Sequence, residues 1–188
     1  MGLDMYAVRK HYVRNWDHTP DEERYEVEVR RGGKPDHDIQ PERIISIEEE
    51  SMYWRKANHI HGWFVDQVQD GNDECKEYFV ACDQLRELFR VCEKVIQASK
   101  LVEGDVYAGT VYDKDHPEGE VQHLPGKVIE DATVAEKLLP TRPGFFFGPT
   151  EYDEWYLNDV VRTRDWAGQM VTQCENGTRG DIYYSSSW

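Results

Sequence analysis

The chain reads as a single α+β domain over residues 1–188, a mainly antiparallel sheet of short strands packed with about three longer helices. Three observations predict this. Short apolar runs are bounded by turn residues, longer segments carry apolar residues at spacings of three and four, and no internal repeat or low-complexity tract interrupts them. A length of 188 residues with 39% hydrophobic and 12% aromatic side chains suffices for one core without a metal or disulfide staple.

The elements follow in chain order. Residues 3–10 form a short strand. Residues 23–30 alternate polar with apolar, the period of a strand with one wet face, and Arg31-Gly32-Gly33-Lys34-Pro35 is a turn. Residues 44–47 are a second strand. A helix then spans residues 49–69 and ends at Gly71-Asn72. Tyr78-Phe79-Val80 is a short strand. Asp83 caps a helix whose Leu85, Leu88, Phe89, Cys92, Val95 and Ile96 make one apolar stripe. Residues 105–112 are a strand, residues 113–131 a loop, and residues 132–139 a short helix before Pro140. The Phe triplet of Gly144-Phe145-Phe146-Phe147-Gly148 is a short strand between turns. Thr150 caps the last helix, with Asp153 completing an imperfect capping box. That helix runs to Cys174 with Leu157, Val160, Ala167 and Val171 on one side, Asn176-Gly177 stops it, and residues 182–184 close the fold as a strand.

A formal charge of −15 excludes a general nucleic-acid binder, which needs a surplus of Lys and Arg. The acidity concentrates in residues 41–120, with nine Lys and Arg against eighteen Asp and Glu. A solvated, solubilising surface is the simpler reading of that excess; a duplex mimic for a basic channel is the sharper one. No run reaches the length of a membrane span, and the opening residues lack the apolar core of a signal peptide. Cys75, Cys82, Cys92 and Cys174 make no C-x-x-C pair, so the expected setting is cytoplasmic and reduced.

The densest chemistry lies in residues 51–65. On a helix, Tyr53, Ala57, Ile60 and Phe64 share the core side, and Trp54, Asn58, His61 and Val65 form the adjoining stripe. Asn58 and His61 then sit at the core margin, where an unpaired polar group costs about 1–3 kcal/mol. They either fasten the helix to loop backbone or, with Arg55 beside them and Trp54 packed alongside, form a pocket for a polar or anionic ligand. His59 points elsewhere and reads as exposed. Tyr152 and Asp153, in the first turns of the last helix, complete the candidate ligand site. Asp153 or Glu154 with His61 is the candidate acid–base pair. A zinc site from His61, Cys75 and Cys82 is a weaker reading, and no metal or cofactor is expected. Walker, Gly-x-Gly-x-x-Gly, His-Glu-x-x-His and Gly-x-Ser-x-Gly signatures are all missing.

Gly2-Leu3-Asp4-Met5-Tyr6, the run Tyr53-Trp54-Arg55-Lys56-Ala57-Asn58 with Ile60-His61 and Trp63-Phe64, the Gly144–Gly148 segment with Thr150, Tyr152 and Asp153, and Tyr184 with Ser186-Ser187-Trp188 together resemble an uncharacterised family of small proteins encoded by bacteriophages and bacterial genomes. Residues 10–45 and 105–130 lie outside the resemblance and read as variable insertions or loops. The resemblance implies a phage or mobile-element setting and no particular activity. The expected function is a non-catalytic accessory protein that binds a host macromolecule or a small polar or anionic ligand, with countering a host defence as one role. The alternative is a small enzyme acting on a nucleotide or phosphorylated metabolite, with His61 as acid or base.

Overall fold

The structure, a computed structural model, describes residues 2–188 except Tyr112, Asp113, Asp115, His116, Glu118, Phe145 and Phe146. It is an α+β domain. The central sheet is built from β1 (Asp4–Tyr12), β4 (Ser46–Arg55), β5 (Tyr78–Phe79) and β8 (Asp181–Ser187), in the order β4-β1-β8-β5 with every pair antiparallel. Two separate ribbons complete the strands: β2 (Arg30–Arg31) with β3 (Lys34–Pro35), and β6 (Leu101–Val111) with β7 (Glu120–Ile129). The helices are α1 (Asn58–Gln67), α2 (Cys82–Ala98), α3 (Thr133–Leu138) and α4 (Glu154–Glu175).

One face of the sheet is dry. Alternate residues Leu3, Met5 and Ala7 of the β1 segment, Trp54 of β4, and Ile182 and Tyr184 of β8 are buried against Ile60 and Phe64 of α1. Leu85, Leu88, Cys92 and Val95 of α2 join that core with Val160, Ala167 and Met170 of α4. The α2 stripe is thus the one its spacing predicts. Trp54 is the hub: its ring meets Trp166, Phe64 and Tyr184 edge-on, and its indole N–H donates to Thr163 Oγ1 at 2.8 Å.

The expected helix over residues 49–69 is instead strand β4 followed by the shorter α1. Cross-strand chemistry decides this. Glu48 and Glu49 stand opposite Lys10 and Arg9 of β1, Lys10 pairs with Glu48 at 3.0 Å, and the Tyr6 and Tyr53 rings meet 5.3 Å apart. A residue interval of three or four cannot register such pairings, whereas a neighbouring strand does. Lys56, at a left-handed φ of 58°, turns the chain from β4 into α1.

Other departures have local causes. Residues 24–29 find no partner strand among the described residues; the Asn15 side chain instead brackets the Tyr25 main chain, accepting from its N–H at 2.9 Å and donating to its carbonyl at 2.8 Å. The expected loop over residues 113–131 contains β7, where Pro125 and Gly126 are tolerated because the ribbon is an exposed pair with free edges. α2 starts just before Asp83, and its first turn is closed by Gln84, whose side chain accepts the Ala81 N–H. Asp153, rather than Thr150, caps α4. The strand expected at the Phe triplet falls partly outside the described residues, and Phe147 lies in a turn.

Candidate functional site

The six residues singled out by sequence do not share one cavity. Trp54 is core. His61 is buried, and both ring nitrogens are engaged: Nδ1 with Tyr184 Oη at 2.8 Å and Nε2 with Asp73 Oδ2 at 2.9 Å. Because the Asp73 carboxylate only accepts, Nε2 donates its N–H to it, and the Tyr184 hydroxyl is the partner of Nδ1. Trp188 donates its indole N–H to the other Asp73 oxygen at 3.1 Å, and the Phe147 ring meets the imidazole edge-on. This chain of bonds pins the last strand and the loop after α1 to the helix.

Asn58 is a second clamp. Its Nδ2 donates to the carbonyls of Phe147 and Pro149 at 3.1 and 2.8 Å, and its Oδ1 accepts the Arg142 N–H at 2.8 Å. One buried amide therefore fixes both ends of the Gly144–Gly148 loop to the start of α1. Arg142 reaches over Gly62 to an ion pair with Asp66, and a Cβ on Gly62 would collide with that guanidinium. Gly148, at φ +91°, lies so close to Lys56 that a Cβ there would sit 2.8 Å from the Lys56 Cβ. Tyr152 accepts the Thr141 N–H on its hydroxyl and packs edge-on against Tyr156.

Arg55, Asn58 and Asp153 do converge. They line a cavity of about 120 Å³ between the β4–α1 junction and the first turns of α4, together with Lys56, His59, Glu151, Tyr156 and Asp159. His61 and Tyr152 are outside it, and because both His61 nitrogens are bonded to Tyr184 and Asp73, the expected acid–base pair of His61 with Asp153 or Glu154 is not assembled. Lys56 and Glu151 also line an adjoining cleft of about 330 Å³ that reaches Tyr107 of β6.

The sequence missed the chemically telling members. His59, expected at the surface, is 4% exposed, with its ring 4.1 Å from that of Tyr156. Its Nε2 is buried and has no hydrogen-bond partner among the described residues. Burial pushes the imidazole down to about 3, so the ring is neutral. Asp159 is pushed up to about 6, chiefly by burial; Arg162 opposes the shift, and Asp153 adds to it. Asp153 is itself raised by burial, although its Oδ1 accepts the N–H groups of Trp155 and Tyr156, each at 2.9 Å. A signal for Asp159 existed: on a helix it falls beside Tyr156, Val160 and Thr163, a carboxylate on the face that goes inside.

The cavity thus combines cations on the β4–α1 corner, the Asp159 carboxyl that burial pushes up to about 6, and one side of the His59 ring, which also lines a cavity of about 210 Å³ with Gly62, Trp63 and Arg142. A larger concavity, about 440 Å³ among Val13, Tyr25, Glu42 and Ile44, holds no buried unpaired side-chain polar atom among the described residues. Among the described residues no three His, Cys, Asp or Glu side chains are placed to hold a metal ion, and no helix is long and apolar enough to cross a membrane. No family model, curated protein or solved structure matches the chain.

Proposed function

We propose that the protein is a non-catalytic accessory protein of a phage or mobile element that binds a small polar ligand in the cavity between the β4–α1 corner and α4. The unpartnered, buried Nε2 of His59 carries this reading. Native interiors rarely leave such a nitrogen without a hydrogen bond, so the ring beside the cavity holds hydrogen-bonding capacity that the described residues do not use. Arg55 and Lys56 suit an anionic group, whereas Asp159 and Glu151 suit donors or a cationic group, which favours a ligand carrying both. The volume accommodates a group of a few heavy atoms, and the adjoining cleft past Lys56 offers room for the rest of a larger molecule. Of the partners weighed, a small ligand fits this geometry better than a host macromolecule. An enzyme reading loses support because His61 has both nitrogens occupied away from the cavity. The phage setting rests on the motifs quoted above.

A thermal-shift screen with nucleotides, signalling dinucleotides, free amino acids and polyamines tests the proposal, since a ligand of the folded state raises the melting temperature. At least one compound should stabilise the wild type and leave Asp159→Ala unmoved. A screen in which no compound shifts the wild type, or in which Asp159→Ala responds equally, contradicts it.

A further inference from the structure

Three contacts fix how α2 and α4 run against each other. Glu93 pairs with Arg164 at 2.8 Å, a Cβ on Gly168 would come within 3.1 Å of the Phe89 ring, and Arg86 bonds Glu175 at 3.3 Å. Descending α2 therefore matches ascending α4, an antiparallel register that carries Cys82, the first residue of α2, to the level of Cys174 near the end of α4. Arg86 ties the two ends together there, bonding Asp83 beside Cys82 at 2.5 Å and Glu175 beside Cys174 at 3.3 Å, so the two thiols face the same end of the helix pair. Both cysteines are free; Cys174 is exposed and Cys82 half-buried, whereas Cys92 is sealed in the core. Arg86 lies within electrostatic reach of both sulfurs, and Arg9 acts on Cys174.

We propose that Cys82 and Cys174 are a redox-active dithiol, a modification site that closes reversibly into a disulfide joining the start of α2 to the end of α4. Cys82 is the attacking sulfur, because it stands in the first turn of a long helix, whose N-terminal end favours negative charge, with a guanidinium beside it. Cys174 lies in the last turn of α4, whose C-terminal end disfavours negative charge. Partial desolvation and the neighbouring Cys82 push its thiol up to about 11, so it keeps its proton and serves as the resolving group. With hydrogen peroxide as the oxidant, the Cys82 thiolate attacks one peroxide oxygen. An S–O bond forms, the O–O bond breaks, and the departing hydroxide takes up a proton. Cys174 sulfur then attacks the Cys82 sulfenic acid, forming the S–S bond and releasing water with the Cys174 proton. Two thiols are oxidised, one peroxide is reduced, and two waters result.

The test uses the full chain with hydrogen peroxide, read by intact mass and by non-reducing peptide mapping. Oxidised monomer should lose two hydrogens, yield one Cys82–Cys174 linked peptide, unfold at a higher temperature because a loop of roughly ninety residues is closed, and revert with dithiothreitol. Cys75→Ser should behave as wild type; Cys82→Ser and Cys174→Ser should not form the link. In Cys174→Ser, a sulfenic acid probe should label Cys82 at least tenfold faster than it labels Cys174 in Cys82→Ser. The proposal is overturned if a Cys75→Ser, Cys92→Ser double variant that melts cooperatively gains oxygen on separate sulfurs, or links only between chains. Equal labelling overturns the role assigned to Cys82.

Discussion

His59 and Asp159 perturb stability in opposite senses, and that opposition is measurable. Asp159, raised from 3.8 to about 6, holds more protons folded than unfolded between those values, so it contributes stability below pH 4 that is lost as pH rises through 6. His59, lowered from 6.5 to about 3, holds fewer protons when folded, so its contribution is present above pH 6.5 and is lost on acidification toward 3. Between pH 4 and 6 the two slopes nearly cancel in the wild type. In Asp159→Asn, urea titrations should uncover the imidazole slope that Asp159 offsets, with stability falling by about 1 kcal/mol more per pH unit of acidification than in the wild type; a slope unchanged from wild type contradicts the assignment. Asn58 and His61 are structural clamps by the same bookkeeping of partners. Asn58→Ala leaves the Arg142 N–H and two carbonyls without their amide, and His61→Ala frees the Tyr184 hydroxyl and Asp73; each should cost about 2–4 kcal/mol in chemical denaturation.

At the level of elements, the legibility of the sequence follows the range of the interactions that decide each one. The α2 stripe and β8 are readable because their own apolar spacing matches the face they bury. The β4–α1 boundary is not, because what makes residues 46–55 a strand is the charge and ring pairing with β1, some forty residues away in sequence. β7 was hidden by Pro125 and Gly126, which an unpaired ribbon edge permits. α4 starts one turn later than a Thr150 cap would place it, and the Asp153 cap makes a prediction: Asp153→Ala should destabilise by about 1–2 kcal/mol, whereas Asp153→Ser or Asp153→Asn should recover most of it, since each restores an acceptor for the Trp155 and Tyr156 N–H groups. At the loop that Asn58 holds, Gly148→Ala meets both a left-handed φ and the Lys56 Cβ, and should cost about 1–3 kcal/mol by the same measurement.

For the whole molecule, residues far apart in the sequence converge physically. Asn58, His61, Phe147, Tyr184 and Trp188, drawn from three distant stretches, meet in one hydrogen-bonded and aromatic cluster that locks α1, the Gly144–Gly148 loop and the closing strand together. That cluster sets the wall of the neighbouring cavity without entering it, apart from Asn58. The motifs legible in the sequence therefore build the scaffold, whereas the burial of His59 and Asp159 against the cavity follows from α1 and α4 facing each other across it. Nitrogen-detected NMR of the imidazole rings, with the compounds of the stability screen titrated in, addresses this division of labour most directly. The account predicts that a binding compound moves the His59 ring signals to saturation while those of His61 stay in place. Ring signals of His59 that no compound displaces, or a response confined to His61, would contradict it.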